Sequence, residues 1–98
     1  MTIPKIVHYC WFGQGDKPQD VSEYIKGWHR MLPDYQIIEW NEDNFDVQIN
    51  DYVKEAYKAR KYAFVSDYAR LYALYEHGGI YLDTDVEVFK VFDDLLHN

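Results

Sequence analysis

One stretch, Gly-Gly-Ile-Tyr-Leu-Asp-Thr-Asp at residues 78–85, constrains the fold of this chain more than any other. Its two glycines give the backbone the freedom for a tight turn. The alternation that follows predicts a strand with Ile80 and Leu82 on one face and Tyr81 and Asp83 on the other. The chain is therefore predicted to turn abruptly into a partly buried strand that ends in acidic residues.

Asp83 and Asp85 are candidate metal ligands. In extended backbone their i, i+2 spacing directs both carboxylates to one side, with Thr84 directed away. Two anions held close together repel unless a cation lies between them, and oxygen ligands suit Mg²⁺ or Mn²⁺, which complete their coordination with water and substrate phosphates. A solvated turn is the alternative interpretation of an isolated Asp-x-Asp. The position after an apolar strand favours the metal site, because open α/β sheets bind ligands outside the carboxyl ends of their strands.

The composition limits the classes of protein that this chain can be. Its 98 residues make one domain at most, and the 48% of hydrophobic and 18% of aromatic residues indicate a folded chain. The net charge of −7 disfavours nucleic acids and anionic membranes, so a phosphate ligand would need a cation. No apolar run approaches the roughly 20 residues of a membrane span and no signal-peptide pattern is visible, so we expect a cytoplasmic protein. Cys10, the single cysteine, is expected to be a packed thiol.

The remaining periodicities predict strands alternating with helices, which is typical of the α/β class. Residues 41–44 form a polar turn that could cap a short helix. Helix 63–77 is apolar nearly all round and is expected to be mostly buried. Strands are expected at residues 3–10, 35–40 and 86–91, and helices at 18–32, 51–60 and 63–77, with a helix or turn at 93–97.

Two groups of polar or aromatic residues could contact a ligand. Trp11 follows the first strand, where its ring could stack on a base or fill the core, and the sequence leaves both open. Asp67 and Arg70 lie at i, i+3 on the apolar helix, where they could form a salt bridge with each other. Two charges on a buried helix also indicate a side that meets a polar ligand. For His8, packing in the core is the favoured interpretation.

Three motifs together resemble the glycosyltransferases with a DXD motif, a sugar-binding-region family (family 32-like) that includes capsular polysaccharide enzymes and relatives of initiating mannosyltransferases. The motifs are Ile-Pro-Lys-Ile-Val-His-Tyr-Cys-Trp-Phe-Gly at residues 3–13, Ala-Phe-Val-Ser-Asp-Tyr-Ala-Arg at 63–70, and the stretch at 78–85. Their order and spacing fit the family over essentially the whole chain. The resemblance implies a GT-A fold, the Rossmann-like fold of nucleotide-diphospho-sugar transferases. Residues 1–98 would form one partial domain, the N-terminal donor-binding portion.

The resemblance also implies a function: transfer of a hexose from a nucleotide-diphosphate sugar to a glycan acceptor, with retention at the anomeric carbon and with Mn²⁺ or Mg²⁺. Trp11 would stack on the donor base, and Asp67 would bond ribose or sugar hydroxyls. Asp83 would hold the ribose and sugar side of the donor, in part through metal-bound water, and Asp85 would ligate the metal. Arg70 and the metal would offset the charge that grows on the leaving diphosphate, so Arg70, Asp83 and Asp85 are the expected catalytic residues.

The chain departs from the family in its length, because members continue well beyond the Asp-x-Asp. The missing segments complete the sheet and build the acceptor pocket. Self-association through an exposed sheet edge is therefore a hypothesis. A second hypothesis for function is a non-catalytic module that binds sugar nucleotides. A metal-dependent phosphohydrolase is a weaker third, since the sequence lacks the further carboxylate and histidine cluster that such enzymes need.

Overall fold

The computed structural model describes residues 3–86, which form three strands and three helices. The predicted extended segment beyond Val86 and the helix or turn at 93–97 lie outside these residues. The first strand begins three residues later than predicted, and the other bounds agree to within a few residues. In chain order the elements are β1 (Ile6–Cys10), α1 (Gln19–Met31), β2 (Gln36–Trp40), α2 (Asp51–Lys58), α3 (Tyr62–His77) and β3 (Ile80–Tyr81).

The strands form a parallel sheet in the order β2-β1-β3, with β1 in the centre. Val7 pairs with Ile37 on one side and with Ile80 on the other. Parallel neighbours need crossover connections, and α1 supplies the one between β1 and β2. A parallel sheet with helical crossovers fits a Rossmann-like organisation and confirms the predicted α/β class. All three strands present their carboxyl ends at the same edge of the sheet.

Side-chain alternation along β1 divides the core into two clusters. Val7 and Tyr9 point toward α1, where they pack with the buried Trp28. Cys10 points to the other face, where it packs with residues of α2 and α3 such as Val53 and Val65. The helices therefore cover both faces of the sheet, α1 on one side and α2 and α3 on the other.

Helix α2 begins at a side-chain cap. The Asn50 side chain accepts a hydrogen bond of 2.9 Å from the Val53 amide and so satisfies one of the free N–H groups of the first turn. The polar turn at residues 41–44, whose side chains could have capped a short helix, instead closes on itself. Its Asn41 amide donates to the Asn44 side chain at 2.8 Å, and the Asn41 carbonyl accepts from Phe45. Asparagine suits both positions because its side chain bonds readily to nearby backbone groups.

Helix α3 is less buried than its apolar sequence predicts. A narrow stripe of small side chains, Val65, Ala69 and Ala73, packs against the sheet and α2. On the outer side Leu71 is 63% exposed and Tyr75 is 87% exposed. The prediction that most of this helix is buried was wrong for the described residues, because the elements they form cover only one face of α3.

The link from α3 to β3 passes very close to β1. The amide of Gly78 bonds to the Leu74 carbonyl at 2.9 Å and ends the helix, as the sequence predicts. Gly78 and Gly79 have φ of +68° and +95°, which side-chain-bearing residues rarely adopt. A Cβ atom on Gly79 would lie 2.5 Å from the Ile6 carbonyl oxygen. Two glycines are thus required for β3 to enter the sheet beside β1.

Among the helices of residues 3–86, none combines the length and the apolar character needed to cross a bilayer.

Candidate functional site

A cavity of about 350 Å³ lies where the carboxyl ends of β1 and β3 meet the first half of α3. Helix α3 contributes Ser66, Asp67 and Arg70 to its wall. The segment from β3 onward contributes Tyr81 and the acidic residues that follow it. The cavity therefore lies at the edge of the sheet where parallel α/β proteins bind their ligands.

Asp67 and Arg70 face this cavity from adjacent turns of α3. The Arg70 guanidinium and the Asp67 carboxylate are 4.0 Å apart, and their side chains are 42% and 60% exposed. An exposed ion pair at this distance contributes little to stability. The Asp67–Arg70 salt bridge that the sequence allows is therefore present but weak. Both groups keep hydrogen-bonding capacity for a bound ligand.

Arg70 also lies over the ring of Tyr81, with its guanidinium carbon 5.7 Å from the ring centroid. Tyr81 packs in the core cluster beneath α3. The contact joins the helix that carries Arg70 to the strand that leads to the aspartates. Tyr81 was not among the residues predicted for the site, although the alternation that places Tyr81 and Asp83 on one face is a signal that could have identified it.

Asp83 and Asp85 both line the cavity, but not in the way that extended backbone predicts. Strand β3 ends at Tyr81, and residues 84 and 85 form a turn in which the Val86 amide donates to the Asp83 carbonyl at 3.1 Å. Thr84 lines the same cavity, and because residues 84 and 85 are not extended, the expectation that strand alternation directs Thr84 away does not apply. The turn, and not strand alternation, brings the two aspartates to one side.

Two further titratable groups of the cavity, the Cys10 thiol and the Tyr81 phenol, are neutral at physiological pH. Burial raises the pKa of the Cys10 thiol to about 11, and its Sγ lies 3.9 Å from the Ser66 carbonyl oxygen. Burial, followed by interactions with Cys10, also raises the pKa of the Tyr81 phenol. Neither group is therefore available as an anionic nucleophile or base, and the packed thiol expected for Cys10 is confirmed.

Trp11 lies outside this cavity, on the opposite side of the sheet. Its ring packs against the cluster that contains Trp28, and its indole N–H donates to the Gly15 carbonyl at 2.8 Å. The Lys17 ammonium lies 5.8 Å from the ring centroid. The structure thus brings together Asp67, Arg70 and the aspartates after β3, and it places Trp11 apart from them.

A polar network near Trp11 was not foreseen from the sequence. Glu39 at the end of β2 forms an ion pair with Lys17 at 2.7 Å and accepts a hydrogen bond from the Tyr9 hydroxyl at 2.8 Å. Burial of Glu39 raises its pKa, but hydrogen bonds from Lys17, Asn41 and Tyr9 outweigh burial and leave that pKa below its usual value. No sequence spacing links these residues, because the sheet alone brings them together. The network holds the loop that carries Trp11.

The side chains of the cavity can coordinate a divalent cation only if a bound ligand supplies further oxygen atoms. Within residues 3–86, no three His, Cys, Asp or Glu side chains are grouped as a metal site. Mg²⁺ and Mn²⁺, however, use one or two carboxylates together with phosphate oxygens and water. Three carboxylates and one guanidinium give the lining a formal net charge of −2. Asp83 and Asp85 therefore have the donor chemistry for such a cation.

Comparisons with known proteins find similar sequences over most of the chain. A family model described as glycosyltransferase sugar-binding region containing DXD motif matches residues 18–98, which include all four charged residues of the cavity. Inositol phosphoceramide mannosyltransferase 3 of Schizosaccharomyces pombe is 32% identical over 104 residues, which cover 98% of this chain and 28% of that protein. Mannosyl phosphorylinositol ceramide synthase CSH1 of Saccharomyces cerevisiae is 30% identical over 102 residues, which cover 96% of this chain and 26% of that protein.

An uncharacterized glycosyltransferase of Acanthamoeba polyphaga mimivirus is 29% identical, with 96% of this chain and 40% of the relative covered. The chain thus spans between 26% and 40% of the length of these relatives. No solved structure matches the chain significantly.

Proposed function

We propose that this chain, which belongs to the glycosyltransferase family with a sugar-binding region containing the DXD motif, binds the nucleotide-diphosphate end of a sugar donor. In the proposed reaction a hexose passes from this donor to a glycan acceptor with retention at the anomeric carbon. The fold that we propose is the donor-binding portion of a GT-A domain.

The observation that carries this proposal is the meeting of two separate motifs at one cavity. Asp67 and Arg70 come from α3, and Asp83 and Asp85 follow β3, yet all four line the same space. The combination offers carboxylate acceptors for hydroxyls and a guanidinium for phosphate oxygens. A sugar diphosphate carries both kinds of group, so it matches the lining better than a neutral sugar or a free phosphate does.

The charge of the lining supports a role for a cation. A donor diphosphate is itself anionic, and the carboxylates of the cavity outnumber its single guanidinium. In the proposed complex Asp85 would ligate Mn²⁺ or Mg²⁺ and Asp83 would help to hold the cation through water. Bound there, the cation supplies Lewis-acid stabilisation of the leaving diphosphate.

Arg70, Asp67 and Trp11 have separate roles in this proposal. Arg70 offsets negative charge on the leaving diphosphate, and its position over Tyr81 holds the guanidinium at the cavity. Asp67, which is one turn away, accepts hydrogen bonds from ribose or sugar hydroxyls. Trp11 stacking on the base stays a prediction, and it requires the base to reach the opposite side of β1.

The names of the relatives guide the choice of donor. Two of the similar proteins are named as a mannosyltransferase and a mannosyl phosphorylinositol ceramide synthase. We therefore propose a mannose donor as the first to test. A module that binds the donor without turnover is the second candidate, because the charged groups that line the cavity are all assigned to the donor and its cation.

Calorimetric titration of the 98-residue chain with GDP-mannose, GDP-glucose, UDP-glucose and UDP-galactose tests the proposal. We expect binding of at least one donor in the presence of Mn²⁺ and weaker binding after chelation, because the carboxylates of the cavity then repel the donor diphosphate. Asp85→Ala is expected to abolish the Mn²⁺-dependent part. Asp34→Ala, which removes an exposed carboxylate outside the cavity, is the matched control and is expected to bind like the wild type.

Release of free sugar or transfer to an added glycan then separates the enzyme from the binding module. Mn²⁺-dependent binding without turnover supports the module. Failure of every donor to bind, with or without Mn²⁺, would reject the proposed site.

A further inference from the structure

His8 is buried at the centre of the sheet, and both of its ring nitrogens have partners. It has no exposed surface. Its Nδ1 lies 3.0 Å from Nε1 of Trp40, and its Nε2 lies 2.8 Å from the carbonyl oxygen of Gly78. An indole nitrogen can only donate and a carbonyl can only accept, so Nδ1 must accept and Nε2 must carry the proton. The two partners therefore select one neutral tautomer of His8.

The backbone of His8 holds the same part of the chain. His8 pairs with Tyr81 in the sheet, and its carbonyl accepts a hydrogen bond of 2.9 Å from the Leu82 amide. The side chain thus bonds to Gly78, where the chain leaves α3, and the backbone bonds to Leu82, immediately before Asp83. One residue binds both ends of the five-residue segment 78–82.

This segment determines how the two halves of the cavity are placed relative to each other. On one side it is joined to α3, which carries Asp67 and Arg70, and on the other side it leads directly to Asp83. It begins with two glycines, whose backbone is the least restricted of any residue. Strand β3 itself has only two residues. External bonds must therefore supply the restraint that its own sequence lacks.

We propose that His8, as the neutral tautomer protonated at Nε2, is a positioning residue that fixes segment 78–82 and thereby sets Asp83 and Asp85 against Asp67 and Arg70. This inference rests on the proposed function for its consequence in donor binding. The positioning itself is a property of the protein without a ligand, so the two can be tested separately.

The first test uses NMR on the ligand-free 98-residue chain. Nitrogen shifts of labelled histidine are expected to show His8 with a protonated Nε2 and a bare Nδ1. His8→Leu is expected to speed exchange of the Leu82 amide, which bonds to the His8 carbonyl, by at least about tenfold relative to amides of α1, since a lost bond of about 1.4 kcal/mol corresponds to that factor. His8→Gln keeps a donor that can reach the Gly78 carbonyl, so exchange is expected to remain within about threefold of the wild type.

His77→Gln is the matched control. The ring of His77 lies 6.0 Å from that of His8, but His77 is exposed and makes no bond to Gly78 in the described part of the chain. Its replacement is expected to leave the exchange of the Leu82 amide unchanged.

The second test measures the Mn²⁺-dependent affinity for GDP-mannose. His8→Leu is expected to weaken it about tenfold or more, the usual effect of removing a group that orients a metal ligand, and His8→Gln is expected to restore most of it. If wild-type protein binds none of the sugar nucleotides, the proposed function fails, and the exchange data still decide the positioning role.

Two results would overturn the proposal. One is a folded His8→Leu variant with wild-type exchange at the Leu82 amide. The other is a wild-type His8 protonated at Nδ1, a result that decides the matter even if His8→Leu does not fold.

Discussion

The guanidinium carbon of Arg70 lies 5.7 Å from the centroid of the Tyr81 ring. This contact crosses from α3 to β3, and it joins the two motifs that line the cavity. Within residues 3–86, the carboxylate paired with Arg70 is that of Asp67, which lies 4.0 Å away and is exposed. The aromatic ring is therefore the better-defined support for the guanidinium, and it holds the positive charge beside the aspartates.

Replacement of Tyr81 tests this support. Tyr81→Leu is expected to weaken Mn²⁺-dependent GDP-mannose binding by about two- to fivefold, the equivalent of a cation–π contact of roughly 0.5–1 kcal/mol. Tyr81→Phe keeps the ring and is expected to bind within about twofold of the wild type. Calorimetry on both variants provides the comparison. Equal losses in the two variants would indicate that the hydroxyl, and not the ring, matters.

Gly79→Ala is expected to destabilise the fold. The residue has φ of +95°, and a Cβ atom would lie 2.5 Å from the Ile6 carbonyl oxygen. Strain of this kind costs about 1–3 kcal/mol, which urea denaturation would measure as a lower free energy of unfolding.

Gly15→Ala is the matched control for this glycine. A Cβ atom there has nothing within 4 Å, so we expect the free energy of unfolding to change by no more than about 1 kcal/mol. A Gly79→Ala protein as stable as the Gly15→Ala protein would contradict the close approach of the chain to β1.

The main elements of this fold were predictable because their patterns are local. The spacing of Ile25 and Trp28 marks the buried side of α1, and the alternation of Ile80 and Tyr81 places them on opposite faces of the sheet as predicted. The exposure of α3 was not predictable in the same way. A pattern of apolar residues shows which side chains of a helix can be buried, but not which of them the neighbouring elements cover. Leu71 and Tyr75 belong to the apolar pattern, yet the described elements leave both exposed.

The site was predictable to a similar degree. Asp67 and Arg70 were selected as charges on an apolar helix, and Asp83 and Asp85 by their spacing after an apolar strand. The structure places all four around one cavity, and their roles stay predictions. The turn at Thr84 was missed because the strand was taken to continue through the aspartates. The pairing of His8 with Gly78 was missed because contacts between residues 70 positions apart depend on sheet topology, which no local pattern encodes.

The Cys10 thiol is expected to react slowly in the folded protein. It is 6% exposed, and burial raises its pKa to about 11. At pH 8 the rate of reaction with a disulfide reagent is expected to be at least about 100-fold lower than in urea, where the pKa returns to about 8.5. A colorimetric thiol assay with and without urea gives the ratio. Similar rates in the two states would show that the end of β1 is open to solvent.

The stability of the protein is expected to fall at mildly acidic pH because of His8. Burial, opposed by the bond to Gly78 and assisted by the nearby His77, lowers the pKa of His8 below its ordinary value of 6.5. The His8 imidazole therefore binds a proton more readily in the unfolded chain than in the folded chain. The contribution of neutral His8 to the free energy of unfolding is complete above about pH 6.5, and it is lost as the pH falls toward the pKa of His8 in the folded state.

Urea denaturation between pH 8 and pH 5 measures this effect. The decline in the free energy of unfolding is expected to be shallower in His8→Gln than in the wild type. His77→Gln controls for the second imidazole beside His8, and this variant is expected to retain most of the decline in the free energy of unfolding. An identical pH dependence in the wild type and in His8→Gln would assign the effect to other groups.

The most direct test of the central claim is paramagnetic broadening of backbone amides by Mn²⁺ in the presence of GDP-mannose. We predict that the amides of Asp67, Arg70, Asp83 and Asp85 broaden together at substoichiometric Mn²⁺, and that Asp85→Ala abolishes this effect. Broadening centred instead on Asp51 and Glu55, which line a separate groove beside α2, with the Asp83 and Asp85 amides unaffected, would contradict the account.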